Sequence, residues 1–264
     1  MTFRLVSHEP ATYHSSISTG QLPMKMNGQA LQTSSHLQII ANTSLFKGLT
    51  VDMLTAALNQ AQYYNFSSQS FIFHQYDKAE TTYAILKGQV SLSQTTPMGK
   101  QVIINMLGAG DDVAILSVFE NAIYPLTAEA VTDCLLLGWS SQTMQRLMEQ
   151  YPRIALNALQ SVTGRFLELQ NRYRELATER VEQRIAHALL RLSQKHGQSA
   201  PGGVLLKLPN SRQMIAEMTG TTLYTVSRTC RHWEELGLIQ SGREQVTILN
   251  PVSLSSIAQE LPQI

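Results

Sequence analysis

The sequence has few cysteines and no long hydrophobic run. Its 264 residues include two cysteines, Cys134 and Cys230, which lie far apart. Two isolated thiols exclude a disulfide framework, a CxxC zinc site and a four-cysteine iron–sulfur cluster, and they fit a reducing compartment. Apolar runs such as CLLLGW are far shorter than a membrane span, and the first residues, MTFRLVSHEPATYH, lack a signal-peptide core. We therefore expect a soluble, cytoplasmic protein that has no membrane partner and no metal site.

The net charge is also small, at +1, but it is unevenly distributed. Residues 37–150 contain five Lys/Arg against nine Asp/Glu, whereas residues 178–250 contain nine against six. This distribution favours a polyanionic partner for the rear half only.

Changes in pattern divide the chain into five predicted regions. Residues 1–36 are rich in Ser, Thr and Gln and have no periodicity, which predicts a flexible extension. A sensing domain over 37–140 begins with short helices, one of them capped by Thr50, and continues as short strands with period two. These strands, which include QSFIFHQ, TTYAILKGQVSLSQ, GKQVIINML and CLLLGW, predict a β-roll. A tail is expected over 254–264.

Residues 141–178 are predicted to form one long helix. Six apolar residues repeat at spacings of three and four, the pattern of a heptad seam with charged shoulders. Such a narrow seam predicts pairing with a second copy of the chain across a two-fold axis. The predicted interface residues are Leu159, Val162, Phe166, Leu169, Tyr173 and Leu176.

Residues 179–253 have the pattern of a winged helix-turn-helix domain. The segments SRQMIAEMTG and TLYTVSRTCRHWEELG predict two helices joined by about three residues, and LIQSGREQVTILN predicts a hairpin wing around Ser241 and Gly242. Small Ala216 suits the helix crossing, and Gly220 suits a sharp turn. Three residues of the second helix are expected in the core, namely Val226, Trp233 and Leu236.

The opposite face of the second helix is polar and suits DNA. Hydroxyls and free backbone N–H groups at a helix start bind phosphate, and the planar fork of Arg228 can bond O6 and N7 of one guanine. The candidate contacts on this face are Thr222, Tyr224, Thr225, Ser227, Arg228 and Arg231.

This order of roll, long helix and winged helix-turn-helix resembles the transcription regulators of the cyclic AMP receptor protein and fumarate–nitrate regulator (CRP/FNR) superfamily. The most specific segments are FIFHQYDKAETTYAILKGQVSLSQ and TTLYTVSRTCRHWEELGLI, and the resemblance covers about residues 37–251. MTGTTLYTVSR and YPLTAEA are most similar to the denitrification and nitric-oxide branch. The resemblance implies an α+β fold, with a cyclic-nucleotide-binding-like roll before the long dimerisation helix.

The resemblance also assigns roles within the DNA-binding domain. Arg228 corresponds to the family's guanine-contacting arginine, and Ser227 to a serine that touches bases or backbone in the fumarate–nitrate branch. Thr222, Thr225 and Arg212 correspond to phosphate-contacting positions. Tyr224 occupies a position where many members have a glutamate, which implies a different base preference in the half-site.

The sensor domain departs further from the family pattern. Where family members place the glutamate, arginine and serine that bind cyclic AMP, this chain has Ile115, Tyr124 and Pro125. A cyclic phosphate buried without a cation would be poorly compensated, which argues against cyclic AMP. An apolar effector pocket is expected near Ile115, Leu116, Tyr124 and Pro125.

The resemblance to nitric-oxide regulators leaves haem open as a cofactor. His74 is the candidate ligand at the pocket, and His187 is a weaker one. A structural role is the alternative for both, because histidine at that strand end is common in the family whatever the effector. Met144 and Met148, at helical spacing, are expected in the core, and the pair Asp111–Asp112 in a turn.

The sequence thus predicts a homodimeric, sequence-specific regulator, controlled allosterically through its roll, that binds a pseudo-palindromic DNA site and contacts RNA polymerase. Two alternatives come from other classes. An enzyme would need a nucleophile with a base or a metal set, and neither is visible in the sequence. An architectural DNA-binding protein would show steep salt dependence and little base preference.

Overall fold

The computed structural model describes residues 34–119, 121–208 and 211–259. The helices are α1 Ser34–Ala41, α2 Val51–Leu58, α3 Ser141–Gln150, α4 Pro152–Thr178, α5 Val181–His196, α6 Ser211–Thr219, α7 Leu223–Glu235 and α8 Pro251–Ala258. The strands are β1 Gln62–Phe66, β2 Phe71–Phe73, β3 Thr81–Lys87, β4 Gln89–Thr95, β5 Gln101–Gly108, β6 Asp112–Val113, β7 Thr127–Ala130, β8 Cys134–Ser140, β9 Gln198–Ala200, β10 Gly203–Lys207, β11 Ile239–Gly242 and β12 Gln245–Ile248.

Two four-stranded antiparallel sheets form the roll, with strand orders β1-β8-β3-β6 and β2-β7-β4-β5. Side chains alternate along β3, so that Tyr83 and Ile85 pack between the sheets whereas Ala84 and Leu86 face the opposite way. Both faces of β3 are covered, which is why its sequence is an almost continuous apolar run. Strand β7 is an element that the sequence did not indicate.

Helices α1 to α4 cover the outer face of the first sheet. Phe46 packs against Trp139 with ring centroids 4.9 Å apart, and the Trp139 indole donates to the carbonyl of Ala57 at 2.8 Å. Thr50 caps α2 as expected, because its hydroxyl accepts from the backbone N–H of Met53. Met144 is fully buried here, in the core role predicted for it.

Three predicted boundaries need correction. The N-terminal extension was expected to reach residue 36, but α1 begins at Ser34; residues 1–33 lie outside the described residues. The long helix of residues 141–178 is two helices, because Tyr151 leaves helical geometry before Pro152, which begins α4. The predicted tail starts inside α8, where Leu254 and Ala258 are buried against the DNA-binding domain.

The C-terminal domain joins α5 to α8 with a four-stranded sheet of order β11-β12-β10-β9. Its core contains Trp233, Ile185 and Leu254, and it continues into the roll through Ile103 and Met106 of β5. Helix α6 packs directly on β5. The core of the DNA-binding domain therefore extends onto β5 of the roll, whose other buried residues form two clusters of their own. No helix in the described part of the chain is both long enough and apolar enough to span a membrane.

Candidate DNA-binding surface and effector pocket

The predicted helix-turn-helix is formed by α6 and α7. Ala216 and Val226 are buried at the helix crossing, and Trp233 lies beneath them in the core. Gly220 in the turn has φ +65°, a backbone conformation that residues with a Cβ adopt only at an energetic cost. The spacing of these residues therefore predicted the motif correctly. Leu236 was expected in the core, but it ends α7 at the surface and is 51% exposed.

The N-terminus of α7 presents hydroxyl groups. Thr222 is the N-cap, and its Oγ1 accepts from the backbone N–H of Thr225 at 3.2 Å. The two hydroxyls lie 2.9 Å apart. Free N–H groups and the helix dipole favour an anion at this position, so the geometry suits a phosphate oxygen.

The outward face of α7 presents the base-contacting candidates. Tyr224 is 76% exposed, Arg228 and Arg231 are exposed, and Ser227 is half-buried. Within the described residues, neither arginine has an ion-pair partner that would hold it on the protein surface. Both guanidinium groups are therefore available to a ligand.

Arg212, the phosphate-contact candidate on α6, is only partly available. Its guanidinium lies 3.8 Å from the carboxylate of Glu234 on α7. This half-exposed ion pair links the two helices of the motif. The sequence did not indicate this pairing, because the partners are 22 positions apart on different helices.

The wing is the hairpin of β11 and β12. Its turn lies at Arg243 and Glu244, and Glu244 has φ +55°. The hairpin was predicted around Ser241 and Gly242, which instead belong to strand β11. The prediction of a wing is correct, but its turn lies two residues further along the chain.

The predicted seam runs along one exposed stripe of α4. All six seam residues are between 40% and 75% exposed in the single chain, although they are large and apolar. Three of them, Val162, Phe166 and Leu169, also line a pocket of about 300 Å³ between α4 and the roll.

This pocket contains four of the five predicted effector residues, namely Ile115, Leu116, Tyr124 and Pro125. The fifth, His74, is exposed at the end of β2 and is absent from the lining; its ring packs on Phe71, and its backbone N–H donates to Asp77. The placement of His74 in the pocket was therefore wrong.

Tyr124 stacks on Phe73 with ring centroids 3.7 Å apart, and its hydroxyl both donates to the carbonyl and accepts from the N–H of Thr81 at 3.1 Å. Burial raises the pKa of Tyr124 above its ordinary value, so that the ring stays neutral. The phenol is committed to strand β3 and is not free to ligate a metal.

The pocket also contains three charged residues that the sequence did not indicate: Arg165, Glu168 and Arg172 of α4. Arg165 pairs with the fully buried carboxylate of Asp112 at 2.8 Å. Asp112 also accepts from Ser44 and Ser161, at 2.7 and 2.6 Å. Asp111 accepts from the backbone N–H of Gly108, as expected for a turn residue, but Asp112 instead joins the roll to α4.

Arg172 pairs with Glu168 at 2.8 Å and donates to the carbonyl of Ile104 in β5. Burial alone would raise the pKa of Glu168, but the charges of Arg172 and Lys195 lower it below its ordinary value. The Asp112–Arg165 pair connects α4 to the roll directly, whereas the Glu168–Arg172 pair lies within α4 and reaches the roll through the bond from Arg172 to Ile104. Helix spacing placed Glu168 and Arg172 together, but Arg165 and Arg172 reach partners on the roll that are 53 and 68 positions away.

The remaining candidates lie elsewhere. His187, on α5, is 3.5 Å from the carboxylate of Glu179 and does not line the pocket. Met148 packs against the same helical cluster as Met144. The described lining residues include no histidine, cysteine or methionine, and their tyrosine is engaged, so these residues do not fit haem.

Comparisons with known proteins agree with this architecture. Residues 64–151 match the cyclic nucleotide-binding domain family, and residues 183–257 match the Crp-like helix-turn-helix domain family. The global nitrogen regulator of Synechocystis is 30% identical over 192 residues, which is 72% of this chain and 85% of that protein. The chain belongs to the CRP/FNR family of transcription regulators. The predicted fold class and family are thereby confirmed, as is the prediction that the protein is not an enzyme.

Other members show the same relationship. The cyclic AMP-activated regulator CRP of Salmonella typhimurium is 28% identical over 193 residues, 72% of this chain and 91% of that protein. The structure of the cyclic di-GMP-responsive global regulator CLP of Xanthomonas campestris has a TM-score of 0.67 at 22% identity and covers 75% of this chain and 99% of its own. This structural likeness supports the CRP/FNR fold. The narrower denitrification branch stays a prediction.

Proposed function

We propose that this protein is a homodimeric regulator that binds one pseudo-palindromic DNA site sequence-specifically and is controlled by a ligand in its roll pocket. The observation that carries the proposal is the outward face of α7. Arg228 is exposed there, six residues beyond the hydroxyl-bearing helix start at Thr222, and has no partner among the residues that the structure describes. A guanidinium held by neither salt bridge nor core is free for base contact.

The DNA contacts divide by chemistry. Thr222 and Thr225 anchor the helix start to a phosphate, and Arg228 selects a guanine through two parallel hydrogen bonds. Tyr224 contributes an aromatic edge where a carboxylate acceptor is common, so the adjacent base preference differs from glutamate-bearing members. Ser227 and Arg231 extend the contact, and Arg212 adds a phosphate contact if its ion pair with Glu234 opens.

A second copy is needed to cover the α4 seam. The six large apolar residues of the seam form a stripe too exposed for a stable monomer surface, and identical stripes pair across a two-fold axis. The same axis would place two copies of α7 about 34 Å apart, one DNA turn. We infer that the dimer contacts RNA polymerase when it is bound near a promoter.

The charges in the pocket argue against cyclic AMP as the effector. Both pocket arginines already pair with carboxylates, so a cyclic phosphate would have to displace Asp112 or Glu168. We therefore propose an effector other than cyclic AMP. A ligand between the roll and α4 would shift how α4 packs, and α4 leads directly into the DNA-binding domain.

The test is selection from a randomised double-stranded DNA pool by the full-length protein, at fixed salt, with and without cell extract to supply an effector. The expected result is an enriched inverted repeat with half-sites one helical turn apart. An unselective protein whose affinity falls steeply with salt would instead be an architectural DNA-binding protein.

A further inference from the structure

The pocket between the roll and α4 is apolar over most of its surface. Its walls include Phe73 and Leu92 from the second sheet, Ile115 beside β6, and Phe166 from α4. A volume of about 300 Å³ is at the small end of ligand pockets in proteins. Such walls favour a small apolar body.

The charges in the lining are balanced within the protein. Arg165 is neutralised by Asp112, and Arg172 by Glu168, in each case at 2.8 Å. An anionic ligand would add an uncompensated charge beside these carboxylates, and a cationic ligand would do the same beside the guanidinium groups. Because burying an unpaired charge is costly, the balance disfavours ligands of either sign.

Few polar atoms in the pocket remain without a partner. The Tyr124 hydroxyl is held by Thr81, and the side-chain Oδ1 of Asn105 accepts from the backbone N–H of Met106. The Nε of Arg172 is the exception among the described lining residues, because it is buried and has no hydrogen-bond partner. This nitrogen has almost no accessible surface, so it offers no donor to a ligand, and the pocket presents few free polar groups.

We propose that the pocket binds an uncharged, mainly apolar small molecule. This inference rests on the proposed function, since it names the ligand class for the same sensor. The pocket opens along Val162, Phe166 and Leu169, which belong to the seam. A second copy on the seam would close the open side over the ligand.

The experiment measures binding of the neutral fluorescent probe N-phenyl-1-naphthylamine to the full-length dimer at pH 8. Octan-1-ol, octanoate and cyclic AMP then compete for the probe. Octan-1-ol and octanoate share one chain and differ only in the charge of the head group. We expect octan-1-ol to displace the probe at concentrations about tenfold or more below those of octanoate, and cyclic AMP not to displace it.

A matched pair of variants locates the binding. Leu116→Trp places an indole at the pocket mouth, where Leu116 is partly exposed, and should weaken probe binding about tenfold or more. Met98→Trp adds the same side chain in the exposed turn between β4 and β5 and should leave binding unchanged. Because both sites are solvent-accessible, we expect both variants to fold.

Three outcomes would overturn the inference: no probe binding, equal probe binding by both variants and the wild type, or displacement by octanoate or cyclic AMP at lower concentrations than by octan-1-ol. The DNA selection above is run on the same preparation. Sequence-specific DNA binding together with any of these outcomes rejects the ligand class alone, whereas unselective DNA binding rejects the proposed function.

Discussion

The face of α7 and the pocket beneath α4 are built in opposite ways. On α7 the functional groups come from one short segment and point outward, and among the described residues neither arginine has an ion-pair partner. In the pocket they come from strands and helices up to about 100 residues apart, and each charge has a partner. A surface that binds a polyanion can leave its arginines unpaired in the free protein, because the phosphates neutralise them on binding. A buried pocket has no such partner, so its charged side chains pair with one another.

The largest expected effect is on dimerisation through the α4 seam, which can be changed without altering the α7 face or the pocket. Leu159→Asp with Tyr173→Asp places four carboxylates in the proposed dimer interface but touches neither the α7 face nor the effector pocket. We expect monomers by sedimentation velocity and at least a 100-fold loss of affinity for the selected DNA site, because the second half-site contact is lost. Glu149→Asp, at an exposed position of α3 outside the seam, is the control. A double variant that remains dimeric would show that α4 is not the interface.

The next prediction affects the pocket side alone. Asp112→Ala removes a fully buried carboxylate and leaves Arg165, Ser44 and Ser161 without their acceptor, so the free energy of unfolding should fall by about 2–4 kcal/mol. Urea unfolding followed by tryptophan fluorescence measures it, with Trp139 in the roll and Trp233 in the DNA-binding domain.

Asp52→Asn, at the exposed start of α2, is the control for Asp112→Ala and should change stability by about 0.5 kcal/mol or less. If both aspartate variants unfolded at the same urea concentration, the buried carboxylate would not be the link between the roll and α4.

Arg228→Ala affects the DNA side alone. Selection should relax at one guanine in each half-site, with discrimination there reduced by about 1–3 kcal/mol, and stability should be unchanged. Arg228→Lys keeps the charge but loses the planar fork, so it should retain affinity better than selectivity. Uniform weakening on every sequence would make Arg228 a phosphate anchor instead. Fluorescence anisotropy at fixed salt measures both variants.

The smallest effect concerns the contact between the roll and α6, where Glu129 of β7 lies near Glu217. Burial, with a smaller contribution from Glu217, raises the pKa of Glu129 above its ordinary value. A carboxyl group whose pKa is higher in the folded state than in the unfolded state favours folding while it is protonated, below about pH 4.5. This contribution is lost as the pH rises through the folded-state pKa. Ionised Glu129 therefore costs stability at pH 7.

Glu129→Gln should raise the free energy of unfolding at pH 7 by about 0.5 kcal/mol, a modest gain because the group is partly solvated. The gain should disappear at pH 4. Glu149→Gln is the matched control and should show neither effect. A gain that does not change with pH would point to packing rather than charge.

The two regions also differ in how well the sequence predicted them. The crossing of α6 and α7 depends on Ala216, Gly220 and Val226, which lie within 11 positions and must satisfy one local geometry. Local spacing therefore predicted the motif and its outward face. Local spacing did not predict that Leu236 is exposed, because this residue lies at the C-terminal end of α7, where its side chain faces solvent.

The pocket could be predicted only in part. Three lining residues, Ile115, Tyr124 and Pro125, followed from their alignment with the family pattern, but Arg165 and Arg172 depend on contacts across the fold that no local pattern specifies. His74 was misplaced because it follows β2 on the outside of the roll, where its ring packs on exposed Phe71, and a strand pattern does not specify which way the residue after the strand end points. The helix break at Pro152 was available as a signal, since the residue before a proline avoids helical geometry.

The continuous core beneath β5, α5 and α6 has a thermodynamic consequence. Ile103 and Met106 of β5 belong to the same cluster as Trp233 of α7, so a shift of β5 changes the packing of the core that supports the recognition helix. If a ligand in the pocket changes the dissociation constant for DNA by some factor, bound DNA must change the dissociation constant for that ligand by the same factor. Titrating the effector in the presence of saturating operator thus measures the same coupling from the other end.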